Sequence, residues 1–292
     1  MIDWTQDAYF NWFSQQAGAR IFIVGYPGNQ GDKLITLGTQ KLLQKVGCQE
    51  VDSPEKADIH VYPGGNISVW RSDVKALTHT VEAAGPNVQY AIGPSGFPAS
   101  FYSLSQPLNN PVVKAAFARD HVSLRQLKRY TSRSDIQIGL AHDPAFYLSD
   151  DIWLDELRRN STKTHILGAF RQDREGDLYC HQLTSKILPV IPYRASRWLS
   201  QKLTRKGNVE KFRQLTANRS QPVVYRDASN ASYQDFLSLI QNAAEIHTNR
   251  LHVFILGAML GKPIFVYDTP AHKLENIYRA SMEPWLQNCE FV

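Results

Sequence analysis

The chain has 292 residues, 43% hydrophobic and 20% charged, which is globular composition with room for two domains. Its net charge of +5 and pI near 9.0 suit nucleic acid, an anionic lipid surface or an acidic small substrate without choosing among them. No run of about 18 apolar residues is present to span a membrane, the aromatic and acidic start MIDWTQDAYFNWF does not read as a signal peptide, and the scattered Cys48, Cys180 and Cys289 predict reduced thiols in a cytoplasm.

Short apolar runs alternate with turns and helical patterns. Residues 20–25 read as a strand, the Gly-rich turn 26–32 follows, and residues 33–46 carry apolar side chains at helical spacing. Residues 57–65, 89–96, 113–120 and 136–146 read as further strands, with Ser123 as the expected cap of a helix over 124–130. A charged stretch from Leu148 to Lys163 reads as a crossover between domains. Strand signals resume at 165–170, 188–193 and 222–227, a helix is expected from Ser232, and residues 245–268 read as strand, turn, helix and strand. The pattern predicts an α/β chain of two Rossmann-like domains, 1–155 and 156–292, facing across a cleft. In such folds ligands sit at the carboxyl ends of strands, so the Gly-rich turns are expected to line the site.

Gly25-YPGNQGD hands a strand over to a helix, where glycines admit a ligand and free N–H groups favour an anion. It is neither a Walker A loop nor a dinucleotide fingerprint. Taken alone, Asp32 reads as a helix cap in a tight turn; a carboxylate there also suits a base toward a sugar hydroxyl. Thr248-NRLH carries more information. With Thr248 or Asn249 as the cap, Arg250, Leu251 and His252 occupy the first helical turn, where cations oppose the helix dipole unless an anion is bound. Arg119, at a strand end, reads equally as a ligand-facing cation or as an ion pair with Asp120. Lys273 follows the last strand and by itself reads as a surface residue. No CxxC pair occurs, and His247 with His252 has the wrong spacing for one helix face, so no metal site is expected. The basic stretch 194–213, interleaved with Trp198 and Leu199, reads first as a solvated helix face and second as a peripheral contact with anionic lipid. Charge spread along the whole chain, without a nucleic-acid fold signature, argues against a nucleic-acid partner.

In this order, Gly28-NQGD, Asp58-IHVYPGG, Arg119-Asp120 with Ser123, Asp143-PAF, Arg171-QDRE, Asn249-RLH, the downstream Gly261-KP and Lys273 resemble the polysaccharide pyruvyltransferase family over most of the chain. The resemblance implies a GT-B-like pair of domains that transfers a pyruvyl group from phosphoenolpyruvate, as substrate rather than cofactor, to a sugar, forming a ketal. It implies donor binding by Arg119, Arg250, Leu251, His252 and Lys273, with the C-terminal domain as the phosphoenolpyruvate side. Asn29, Asp32, Gly64 and Gly65 are expected on the acceptor side, with His252 as acid and Asp32 as base. The acceptor it suggests is a lipid-linked polysaccharide precursor, handled at the inner face of the membrane. A nucleotide-sugar glycosyltransferase of the same architecture is the alternative, with Glu245 placed to meet a ribose. The oligomeric state is not legible.

Overall fold

The computed structural model describes residues 4–25, 28–67, 71–97, 103–171, 207–227, 231–268 and 272–292. The chain divides into two units, Met1–Asp151 with Asn276–Trp285 and Ile152–Glu275 with Leu286–Val292. The division falls four residues before the expected cut at 155, and a C-terminal segment returns to the first unit, which no single cut describes.

In the first unit, β1 (Arg20–Ile23), β2 (Gln49–Glu50), β3 (Ile59–Tyr62), β4 (Gly65–Asn66), β5 (Gln89–Gly96), β6 (Val113–Ala118) and β7 (Gln137–Leu140) form one sheet. Its order is β2-β1-β3-β5-β6-β7 with β4 beside β5, and the pairs are parallel. Side chains alternate between two cores, as strand geometry requires. Ala91, Ala115 and Phe117 face α1 (Ala8–Ser14) and α2 (Gln30–Lys45), where Tyr9, Phe13 and Leu42 are buried. Tyr90, Ile92, Ala116 and Ala118 face the other way. They meet Leu77 and Val81 of α3 (Arg71–Ala83), Leu108 of α4 (Ser105–Leu108) and Leu127 of α5 (His121–Tyr130). Each such aliphatic or aromatic side chain contributes about 1.5–3 kcal/mol on burial. Covering on both faces is why these strands read as continuous apolar runs.

One glycine in α2 sets a close backbone contact. A Cβ built at Gly38 would stand 1.8 Å from the carbonyl oxygen of Pro144, so the helix lies backbone to backbone against the 3-10 turn Pro144–Leu148. Gly38→Ala gains up to about 1 kcal/mol of helix propensity, but it must push that turn away and loses about 1–3 kcal/mol by overpacking. A fall in the thermal midpoint is expected, and an alanine variant as stable as the parent would show that this approach does not hold in solution.

The second unit contains β8 (His165–Ala169), β9 (Val223–Tyr225), β10 (Ala243–Thr248), β11 (Ile264–Val266) and β12 (Cys289–Phe291), ordered β12-β11-β10-β8-β9 with parallel pairs. Its helices are α6 (Ile152–Arg159), α7 (residues 207–216), α8 (Tyr233–Gln241), α9 (Leu251–Met259) and the start of α10 (Lys273–Ser281), which passes into the first unit at Asn276. Eight residues of α9 are buried and only His252 is half-buried. The α/β class with two parallel, Rossmann-like units is therefore observed.

The stretch Leu148–Lys163 holds the division between the units, after Asp151, as expected. It also contains α6, which buries Leu154 and places Asp155 early and Arg158 and Arg159 late, the charge order a helix dipole favours. Three local expectations are corrected. Asp120, not Ser123, caps α5, because its carboxylate accepts from the Ser123 N–H at 2.7 Å. In α2 the cap is Asn29, and Asp32 closes a capping box from the third helical position. In α9 the cap position falls on Arg250 rather than Thr248 or Asn249. The strand expected at 188–193 lies outside the described residues, as does most of the basic stretch 194–213. Among the described residues no helix is long and apolar enough to cross a membrane.

Candidate functional site

The residues singled out by sequence fall at the carboxyl edges of both sheets. In the first unit, Gly64 and Gly65 have φ of +125° and +131°, a region that favours glycine. A Cβ at Gly64 would stand 2.5 Å from the Pro94 carbonyl oxygen, so this turn lies directly on β5. At the end of β5, a Cβ on Gly96 would meet Asn66 Oδ1 at 2.8 Å and Arg119 Nη2 at 3.2 Å. The glycine thus makes room for a guanidinium and a carboxamide at one strand end.

Arg119 follows β6 and is 1% exposed. Its Nη1 donates to Asp143 Oδ2 at 2.8 Å, and Asp143 is fully buried. Its Nε has no partner among the described residues. The expected alternative of a pair with Asp120 is not what forms. Asp120 accepts instead from the N–H and the hydroxyl of Ser123, both at 2.7 Å, and the Ser123 oxygen accepts from Phe97 N. Asn29 Oδ1 accepts from Gly31 N, and Asp32 Oδ2 accepts from Asn29 N at 2.7 Å, so one oxygen of Asp32 is engaged in closing the capping box.

In the second unit the ends of three neighbouring strands are tied together. After β10, Thr248 Oγ1 accepts from Arg250 N at 2.9 Å and donates to the Ala169 carbonyl at the end of β8 at 2.7 Å. Asn249 Oδ1 accepts from Arg171 N at 2.7 Å. Arg250 Nη2 reaches Asp227, just beyond β9, at 2.5 Å, and both residues are buried. Arg250 is therefore held by an acid of its own unit. Leu251, the first residue of α9, is also buried, which makes it a packing residue of the turn. His252 follows, half-buried on the same first turn. Lys273 opens α10, whose start is capped by Asp268: its oxygens accept from Leu274 N at 3.1 Å and Glu275 N at 2.8 Å. Arg250, His252 and Lys273 thus stand after two adjacent strands, β10 and β11, at the edge where parallel sheets bind ligands.

Other charged groups have structural work. Asp268, His272 and Glu275 bring one donor atom each within 4.8 Å of one another. Asp268 caps the helix and His272 Nδ1 bonds Glu275 at 2.7 Å, which accounts for the cluster without an ion. Glu245, the carboxylate a nucleotide-sugar site would need, is bonded to Arg219 at 3.0 Å and to the buried His247 at 2.8 Å. Burial lowers the His247 pKa despite that carboxylate. Lys262, from the Gly261-KP motif, donates to the carbonyls of Gln241 and Ala243 and to Ser161 beside the amino end of β10, away from the ligand edge. Burial pushes its pKa down to about 8.

Asp143 and Asp227, which orient the two arginines, were not singled out as site residues by sequence. The available signal was an acid directly after an apolar strand. Such acids are common in solvated turns, so the signal points nowhere without the partner.

The profile of a family described as polysaccharide pyruvyl transferase matches residues 29–270, well over half of the chain. No curated protein matches. A solved structure of "functional uncharacterized protein KP1_0663" from Klebsiella pneumoniae subsp. pneumoniae NTUH-K2044 is similar in fold, with a TM-score of 0.62 and 17% identity over 97% of this chain and 95% of that one. UDP-GlcNAc 2-epimerase from Methanocaldococcus jannaschii gives a TM-score of 0.44 and 11% identity over 94% and 88% of the two chains.

Proposed function

The chain belongs to the polysaccharide pyruvyl transferase family, and on that premise we propose that it transfers the pyruvyl group of phosphoenolpyruvate to two hydroxyls of one sugar in a polysaccharide precursor. The product is a pyruvate ketal. A phosphoenolpyruvate donor suits a cytoplasmic reaction, and a lipid-linked precursor would bring it to the inner face of the membrane. The observation that carries the reading is the start of α9, where a buried arginine and a half-buried histidine sit one residue apart at the carboxyl edge of a parallel sheet.

The donor presents a phosphate and a carboxylate, which call for several cations and backbone donors. Arg250, Lys273 and the first N–H groups of α9 supply these, and Arg119 is assigned to the same donor from its family motif. His252 gives a proton to C3 of the enol, which leaves positive charge at C2 shared with its oxygen. One sugar hydroxyl adds to C2, the C2–O bond to phosphate breaks, and the second hydroxyl closes the ring. Two hydroxyl protons are released; one replaces the proton delivered to C3 and the other leaves on inorganic phosphate. Asn29, Gly64 and Gly65 border the acceptor side, and Asp32 is the base there. Its Oδ2 already accepts from Asn29 N, so proton acceptance falls to Oδ1.

The test is release of phosphate from phosphoenolpyruvate that depends on an added sugar acceptor. Loss of a positioned acid slows such chemistry by about 10²–10⁴-fold, so His252→Ala is expected to lose that factor while melting like the parent. A His252→Ala protein with parental turnover removes the histidine from the mechanism. Phosphate release indifferent to every acceptor overturns the transferase reading.

A further inference from the structure

The outer surface of the helical layer formed by α3, α4 and α5 contains a groove of about 300 Å³. Arg71, Lys75 and His79 of α3 line one wall, Ser103 and Gln106 the other, and Glu82 the far end. The three basic residues are four positions apart, so they share one face of the helix. Like charges at that spacing repel and cost a few tenths of a kcal/mol per pair. Asp73, two residues from both Arg71 and Lys75, points to a different face and does not neutralise them.

Several other cations of this unit are paired. Arg20, Lys41, Lys45, Lys56, Arg119 and Arg133 each have a carboxylate partner. Arg71, Lys75 and His79 are exposed and have none among the described residues. The one acid of the groove, Glu82, is occupied by the Gln106 carboxamide at 3.0 Å. In the same helical layer, α5 carries exposed Arg125, Lys128 and Arg129 and contains no acid. A concave site with two permanent positive charges and a histidine suits an anion with several oxygens.

We propose that this groove binds a phosphate-bearing group, supplied either by a free phosphorylated compound or by the headgroup of an anionic lipid. The proposal does not depend on the donor reading, since none of the groove residues belongs to that site.

The experiment uses the full chain and three proteins: the parent, Arg71→Ala/Lys75→Ala, and Arg20→Ala/Lys56→Ala as a charge-matched control on other surfaces. Pyrophosphate binding is measured by calorimetry at low salt. Co-sedimentation is measured with vesicles of phosphatidylglycerol and phosphatidylcholine, and with phosphatidylcholine alone. Losing two charge-assisted contacts weakens binding by roughly tenfold or more. Such a loss for pyrophosphate in the groove variant, with the control unchanged, supports the site with a free phosphate source. Loss confined to the anionic vesicles supports it with a lipid source. Phosphate held at the donor site persists in all three proteins and so cannot mimic either result. Equal behaviour of the groove variant and the control in both arms, or no binding by the parent in either, overturns the proposal.

Discussion

Asp143→Ala will lose about 3–5 kcal/mol of unfolding free energy, because it leaves the Arg119 guanidinium charged, buried and unmatched. Arg119 is 1% exposed and Asp143 fully buried, so no water can replace the carboxylate without the strand end opening. Asp143 also accepts from Ala145 N at 3.2 Å and thereby starts the turn that Gly38 abuts, which adds a lost cap to the lost charge. Asp143→Asn keeps an acceptor of the same shape and is expected to lose less, about 1–3 kcal/mol. The pair Arg119→Met/Asp143→Leu removes both charges together and should recover much of the stability, since well-packed apolar pairs replace buried ion pairs at little net cost. If Arg119 has the proposed donor role, the double variant should recover none of the turnover. Urea denaturation of the four proteins beside acceptor-dependent phosphate release separates the two roles. An Asp143→Ala protein that unfolds like the parent would mean that Arg119 is not enclosed in solution.

The central strands were legible because they are covered on both faces and read as largely apolar runs, as residues 59–62 and 113–118 do. The short, exposed edge strands β2 and β12 carry no such run. Where the outcome depended on one side chain choosing between backbone donors, the reading slipped by one to three positions. Asp120 lies three residues ahead of the expected cap Ser123, and both residues can accept an amide hydrogen. The helix α6 was hidden because its flanks are rich in Asp, Asn and Ser and only Leu154 among its eight residues is buried.

The site was half legible for a different reason. Arg250 and His252 stood out as cations in a place that disfavours them, which is a local conflict visible in four residues. What holds them is not local. Asp143 lies 24 positions from Arg119 and Asp227 lies 23 positions from Arg250, each reached only when parallel strands bring their carboxyl ends together. The return of residues 276–285 to the first unit is non-local in the same sense, and no composition shift marks it.

Arg250→Ala is the other large effect, and the geometry changes how it must be interpreted. The guanidinium sits 2.5 Å from Asp227, with both residues nearly enclosed. Its removal strands a buried carboxylate and is expected to cost about 3–5 kcal/mol, so lost turnover in this variant reports unfolding as readily as lost donor binding. Arg250→Lys is the informative change. It keeps the charge beside Asp227 and holds the fold to within about 1–2 kcal/mol, but a compact ammonium cannot offer two parallel N–H donors to an oxyanion while also bonding the aspartate. We therefore expect the KM for phosphoenolpyruvate to rise by roughly tenfold or more, as for a lost charge-assisted hydrogen bond, with the melting transition close to the parent's. Asp227→Asn should weaken the donor less than Arg250→Lys, since the guanidinium remains and only its fixed orientation is relaxed. If Arg250→Lys shows parental KM and turnover at parental stability, the arginine serves the fold alone. The anion at the start of α9 would then have to be gripped by His252 and the helix amides.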